Sequence, residues 1–345
     1  VSRAKTTQTP PPRATIRDVA SAAKTGKTSV SRYLNGEQHL LSDALKERIE
    51  RAIALLDYQP SQMARSLKSG QTRLIGLIIA DITNPYSVEV MRGVEAACRQ
   101  QGLTLLVCNT NNELNQEKHY LQLLSSYRVD GIVINAVGMR EDAISALQQS
   151  PVPMVLIDRK VNNFSCDVIG LNNVDATRTV TQHLLQQGFE AILFLSEPMT
   201  INTRLVRLHT FLQEMQHQPH KFAAQGEVEL SDSQGLETLL RDFADRYADK
   251  RRAVISVNGA LTLVIARAMR RIGMVWGKDI GLLGFDDLEW AELAGVGITT
   301  LKQPTYDMGY AALEQLVTRI QGSNEPIQEH AFPGELIVRG STTLA

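Results

Sequence analysis

Thr15–Gly36 reads TIRDVASAAKTGKTSVSRYLNG. Thr15 followed by Asp18 resembles a capping box, with aspartate in place of the usual Glu or Gln. Ile16, Val19, Ala20 and Ala23 then keep helical spacing. Gly26 separates this helix from a second, Lys27 to Leu34, whose buried side is Val30 and Leu34. Asn35-Gly36 is a turn signal. The small Ala20 and Ala23 let the two helices approach closely. Outward from this pair, Ser42 is placed to cap a third helix with Leu45, Ile49, Ala52, Ile53 and Leu56 on one face. Asp57-Tyr58-Gln59-Pro60 stops it, because the residue before proline is pushed out of helical geometry. Ser61 then caps a short segment, Gln62 to Lys68, and Ser69-Gly70-Gln71-Thr72 reads as a linker. Upstream, residues 1–13, with Pro10-Pro11-Pro12, read as a disordered leader.

Charge separates this head from the rest. Residues 1–70 hold 12 Lys and Arg against 6 Asp and Glu, a net of +6; the remainder holds 24 against 31, a net of −7. A basic head on an acidic body points to an anionic partner at the N-terminus. Three short helices with basic excess suggest a helix-turn-helix unit, the second helix being the reader. Its exposed positions Lys27, Thr28, Ser29, Ser31 and Arg32 all hydrogen-bond, and Arg32 has the fork for guanine or phosphate. The competing reading is a three-helix cap with a solvated polar face.

After Arg73 the pattern changes. Apolar runs of strand length, Leu74–Ala80, Leu103–Cys108, Gly131–Ala136, Val152–Ile157, Val168–Leu171, Ala191–Leu195, Val254–Val257 and Ile280–Phe285, alternate with amphipathic segments such as Ser87–Gln101 and Ala176–Gln187. This is the signature of α/β architecture, parallel sheets flanked by helices on both faces. About 270 residues of it is large for one doubly wound sheet, so two similar lobes are expected. Gly334–Ala345 reads as a final strand and short tail. The expected domains are therefore a leader 1–13, a helix-turn-helix head 14–60, a hinge and linker 61–73, and a two-lobed body 74–345.

Thr15–Ala20, Ser29–Gly36, Tyr58-Gln59-Pro60 and Ala64-Arg65-Ser66-Leu67 resemble the lactose/galactose repressor (LacI/GalR) family of bacterial transcription regulators. So do Ile75–Ile78, Asn84-Pro85-Tyr86, Asp130-Gly131-Ile132, Gly284–Asp287, Thr299–Gln303 and Arg339–Thr342, in the expected order. Any one string is weak; the ordered set is specific. The resemblance implies a periplasmic-binding-protein-like body and a regulator, most often a repressor, whose operator affinity a small sugar changes. Lys27, Thr28 and Arg32 would face base edges. Residues 61–68 match the hinge helix, with Ala64 and Leu67 entering the minor groove and Leu67 as the wedge. Thr15, Ser31, Asn35, Ser61 and Arg65 complete the DNA-facing set. A helix of about two turns is not stable alone in water, so it needs a partner hinge and DNA. The unstacking that leucine insertion demands, roughly a few kcal/mol, is offset by added contact. One departure is the turn Lys24-Thr25-Gly26, where the family has a Gly-Val-Ser-like sequence. Gly26 lacks a capping hydroxyl, and Lys24 adds a charge directed toward phosphate.

For the effector the resemblance implies Tyr86, Arg159, Thr203, Arg207, Asn258 and Asp286, all near strand ends around one crevice. Arg159 has a second reading, structural pairing with Asp158; Asp287 is expected to be structural. Asn258 is followed by Gly259, where the family has aspartate, and Leu230 stands where some members stack an aromatic ring. A missing acid and a missing stacker beside two arginines favour a small anionic effector, a sugar acid such as a gluconate or keto-gluconate. The stretch Gly284–Gly295 also resembles regulators of keto-sugar-acid use. Reading a pseudo-palindromic double-stranded operator needs two copies, hence a homodimer built by the body. The chain ends without a long leucine heptad tail, so no tetramer is expected.

Other classes fit poorly. An apolar fraction of 43% rules out a mainly disordered chain. Cys98, Cys108 and Cys166 are odd in number and form no CxxC, against a disulfide framework or metal site. The Asn163-Phe164-Ser165 sequon is a common chance match. No apolar run reaches membrane length and the start has no apolar signal core, so a soluble, cytoplasmic, nucleoid-associated protein is expected. GxGxxG, Walker, HExxH and GxSxG patterns are absent, which argues against an enzyme and its cofactors. His119 and His183 read as surface or packing residues. The alternative that survives is a periplasmic-type sugar receptor without DNA binding, which the basic head and missing signal core oppose.

Overall fold

A computed structural model describes residues 14–60, 70–136, 152–161 and 164–343. The leader, the Asn163 sequon and the hinge residues Ser61, Ala64, Arg65 and Leu67 lie outside the described residues. Contacts divide the chain into two units, one ending at Thr72 and one beginning at Arg73.

The first unit is a three-helix body: Ile16–Ala22, Lys27–Leu34 and Asp43–Leu55, with a 3-10 turn at Gln38–Leu40. Thr15 starts it as its sequence requires: its backbone N–H and its hydroxyl each donate to an oxygen of Asp18, both at 2.7 Å. Those donors hold the Asp18 carboxyl below the ordinary carboxylate range. Val19, Ala20, Ala23, Val30, Leu41, Ile49 and Ala52 are buried together, so the predicted helix faces meet in one small core. Ser42 occupies the N-cap position of the third helix, yet its side chain makes no capping bond, contrary to expectation.

The second unit is built on two six-stranded sheets. Strands β1 (Leu74–Ile79), β2 (Thr104–Asn109), β3 (Gly131–Ile134), β4 (Met154–Ile157), β5 (Asp167–Leu171) and β11 (Glu329–Phe332) form the first, in the order β11-β5-β4-β3-β1-β2. Strands β6 (Ala191–Ser196), β7 (Phe222–Glu227), β8 (Arg252–Ser256), β9 (Gly281–Phe285), β10 (Thr299–Lys302) and β12 (Glu335–Ile337) form the second, in the order β12-β10-β9-β8-β6-β7. Every pairing is parallel except β10 with β12. Central strands such as β3, β4 and β6 are buried along their whole length, which is why they read as continuous apolar runs.

The chain passes between the sheets three times: after β5, after β10, and between β11 and β12. The second passage leads into helix Thr305–Ile320, which packs against helix Pro85–Gln100. Glycines make that packing close. A Cβ on Gly93 would lie 2.0 Å from the Tyr306 carbonyl oxygen, and one on Gly309 would lie 2.2 Å from that of Val90. The expected C-terminal strand is short. After Ile337 the chain is latched largely by side chains: Ser341 Oγ accepts from the Thr299 N–H at 2.8 Å, and Thr342 Oγ1 lies 2.8 Å from His183 Nε2. His183 is thus a buried packing residue and His119 is exposed.

Candidate functional site

In the first unit, Lys27, Thr28, Arg32 and Asn35 are exposed and Ser31 is half-buried. Thr28, Arg32 and Asn35 fall on the side of the helix away from the buried Val30, Ser31 lies at its flank, and Lys27 is exposed at the helix N-terminus. Arg32 sits 3.9 Å from Glu37, a pair about half exposed on each side, too weak to hold the guanidinium away from another anion. Asn35 Nδ2 donates to Ser31 Oγ at 3.2 Å. Gly26 is the N-cap and provides no side-chain bond, so the first N–H groups of this helix keep their donor capacity toward an outside acceptor. Lys24 in the preceding turn is exposed and left-handed, with φ +50°.

In the second unit, β1 lies between β2 and β3, and β6 between β7 and β8. Strand order reverses at these points, and a crevice forms beyond the strand carboxyl ends. A cavity of about 120 Å³ occupies it. From the first lobe Asp81, Asn84, Tyr86, Asn135, Asp158 and Arg159 line it. From the second come Glu197, Thr203, Arg204, Arg207, Asn258 and Asp286, with Gln303 from the second passage between sheets. Asn135, Asp158, Glu197, Asp286 and Gln303 are each the first residue after a strand. Asp158 and Asp286 both take left-handed backbone, at φ +68° and +70°.

Arg207 is buried. Its Nε donates to Asn173 Oδ1 at 2.7 Å, its Nη1 donates to the Val257 carbonyl at 2.6 Å, and its guanidinium carbon lies 4.0 Å from the Phe285 ring centroid. Burial lowers its pKa, opposed by the charges of Asp158 and Asp286. Arg159 donates from Nη1 to the Ala136 carbonyl at 2.9 Å and pairs with Asp158 at 3.5 Å, so its structural reading is realised inside the cleft. Asp286 accepts from the Gly259 N–H at 2.9 Å and from Gln303 Nε2 at 2.6 Å. Asn258 caps helix Gly259–Arg271 by accepting from the Leu261 N–H at 2.9 Å, and its Nδ2 donates to Glu197. Asp287 bonds Arg339 and Thr300 instead, the structural role expected.

Three buried polar atoms at this cleft have no hydrogen-bond partner in the protein, Tyr86 Oη, Asn135 Oδ1 and Gln303 Oε1, and a fourth, Arg159 Nε, has only its 3.5 Å ion pair with Asp158. Leaving such groups unpaired costs about 1–3 kcal/mol each, and a ligand's hydroxyls or carboxylate would satisfy them. Burial, then the nearby Asp158 and Asp286 charges, raises the Tyr86 phenol well above its usual pKa, so it is a neutral donor. Burial likewise raises Asp158, against the pull of Arg159 and Arg207.

All six residues expected at the effector site line this one cavity, as does Leu230. One expectation is corrected: the departure at Gly259 does not leave the cleft short of an acid, because Glu197 stands beside Asn258. Asn135, Glu197, Arg204 and Gln303 were not expected at the site from sequence, and Asp158 only as a partner for Arg159. The usable signal was the first polar residue after each parallel strand. Among the described residues, no group of three or more His, Cys, Asp or Glu is placed to hold a metal, and the three cysteines are free.

Residues 15–61 match the model for bacterial regulatory proteins of the lacI family, and residues 72–337 match that for periplasmic binding proteins and the sugar binding domain of the LacI family. The chain belongs to the LacI family. It is 44% identical over 331 residues to the HTH-type transcriptional regulator PtxS of Pseudomonas aeruginosa, covering 96% of each chain. It is 36% identical over 330 residues to the HTH-type transcriptional regulator KdgR of Bacillus subtilis, covering 95% of this chain and 97% of that one. Among solved structures it is similar to the Lac repressor dimer bound to operator and the anti-inducer ONPF, at 25% identity and TM-score 0.82, covering 97% of this chain and all of that one. This LacI-family chain is a DNA-binding transcriptional regulator with a ligand-binding body, not an enzyme. The match over residues 15–61 removes the alternative of a receptor without DNA binding. Among the described residues no helix is long and apolar enough to cross a membrane.

Proposed function

We propose that this chain is a homodimeric repressor of sugar or sugar-acid catabolic genes, acting in the cytoplasm on nucleoid DNA. In this reading residues 14–60 read one half of a pseudo-palindromic operator through Lys27, Thr28 and Arg32, supported by Thr15, Ser31 and Asn35. Residues 61–73 form the hinge, with Ala64 and Leu67 at the minor groove and Ser61 and Arg65 also facing DNA. Residues 74–345 sense the effector and dimerise. The Lac repressor dimer, bound to its operator and to a small ligand, supports carrying this arrangement over.

The effector is a small sugar acid such as a gluconate or keto-gluconate, held by Tyr86, Arg159, Thr203, Arg207, Asn258 and Asp286. One observation carries this. Arg207 is a buried guanidinium whose two hydrogen bonds go to neutral amide oxygens. Arg159 and Arg204, by contrast, pair with Asp158 and Glu197. A ligand carboxylate can pair with that guanidinium, which no carboxylate among the described residues hydrogen-bonds, and hydroxyls match the unpaired atoms around it. Isothermal titration of the full chain with gluconate, 2-keto-D-gluconate and neutral hexoses tests it. Binding of an acid that Arg207→Ala loses by at least about a hundredfold supports the reading; tight binding of a neutral hexose alone overturns it.

A further inference from the structure

Glu197 follows β6 directly and Arg204 lies in the first turns of the next helix, Asn202–Gln216. Arg204 Nη2 meets Glu197 Oε1 at 2.8 Å, while its Nη1 donates to the Pro198 carbonyl at 2.8 Å. The other carboxylate oxygen of Glu197 accepts from Asn258 Nδ2. Asn258 is itself fixed, since its Oδ1 caps the helix that begins at Gly259. Glu197 thus binds two groups that line the cleft and leaves both facing it.

The pair is mostly enclosed, with side chains 14% and 17% exposed. Solvent and salt therefore screen it less than a surface bridge. The ionisable cleft residues are Asp81, Asp158, Glu197 and Asp286 against Arg159, Arg204 and Arg207, a formal net of −1. Removing the Glu197 charge brings that sum to zero and removing the Arg204 charge takes it to −2, so either change shifts the field a ligand meets. Arg204 is coupled electrostatically to Arg159 and Asp158, which come from the other lobe, so the field acts across the cleft.

We propose that the Glu197–Arg204 pair is the charge filter of the cleft: Glu197 partly neutralises Arg204 and thereby sets how strongly the cleft prefers an anionic ligand over its neutral counterpart. This rests on the cleft being the effector site. Glu197 and Arg204 act as specificity-determining residues; Glu197 also positions Asn258.

The test uses a matched pair of ligands, 2-keto-D-gluconate and D-fructose, which differ at C1 by carboxylate against hydroxymethyl. Affinities of both are measured by titration calorimetry on the full-length wild type, Glu197→Gln and Arg204→Gln. Glu197→Gln keeps the shape and removes one negative charge, so the acid-to-neutral affinity ratio rises about tenfold. Arg204→Gln lowers it by about the same factor. A role limited to holding the fold would change both affinities alike. A ratio that stays within twofold of wild type in both variants overturns the charge filter and leaves the cleft standing as the binding site. Wild type binding neither ligand overturns the cleft reading and the filter with it.

Discussion

Lys24→Gly separates backbone strain from DNA contact, because it moves stability and affinity in opposite directions. Lys24 holds φ +50° in the turn between the first two helices. Left-handed backbone costs an L residue about 1 kcal/mol that glycine does not incur. The substitution therefore stabilises the head by about 1 kcal/mol, read as roughly fivefold slower amide exchange at the buried Val19 and Val30 in the full-length protein. The same change removes an exposed cation beside the N-terminus of the recognition helix. If each Lys24 meets one phosphate, the slope of log affinity against log salt becomes shallower by about 0.9 per head. Operator affinity at ordinary salt then falls about fivefold per head. Fluorescence anisotropy on a labelled operator duplex at several salt concentrations measures both. An unchanged slope refutes the phosphate contact, and faster exchange refutes the strain argument.

Gly309→Ala pushes a methyl into the Val90 carbonyl and forces two helices apart; it destabilises by about 2–3 kcal/mol, visible as a lower urea midpoint. Asp167 tests pH linkage. Burial raises its carboxyl, but the Arg319 fork at 2.6 and 2.8 Å, the Gln328 N–H and the Gln315 side chain bring it below the ordinary range. A depressed folded pKa means stability present at neutral pH and lost as pH falls through that value. Asp167→Asn accordingly lowers the melting temperature at pH 7, and the gap to wild type narrows steadily below about pH 4. Cys98 and Cys166 are pushed up to about 12 by burial, so neither reacts with a thiol reagent at pH 8 within minutes unless the protein is first unfolded.

The head was legible because each of its helices carries its own start signal or breaker. Thr15 with Asp18 opens the first, Gly26 divides the pair, and Pro60 closes the third. The two-lobed body was legible from its central strands, which are buried on both faces and so read as apolar runs. Two of the edge strands carry no such mark. Phe222–Glu227 and Glu329–Phe332 are largely exposed, and no apolar run announces them. The cleft was only half legible. Asp286 stands in a recognisable string and the resemblance reaches Arg207, but Glu197 and Arg204 acquire meaning only when the chain brings β6, β8, β9 and β10 side by side. Asn258 shows the limit best. The Gly259 that follows it suggested a lost carboxylate, whereas the Asn258 amide binds one supplied from 61 residues earlier.

The decisive measurement is operator affinity of the full-length protein with and without saturating 2-keto-D-gluconate, together with the affinity for the acid in the presence and absence of operator duplex. A change of at least about tenfold in operator affinity, in either direction, matched by the same factor in the affinity for the acid, is the result expected of a coupled regulator. An operator affinity that does not move while the acid fills the cleft would contradict it.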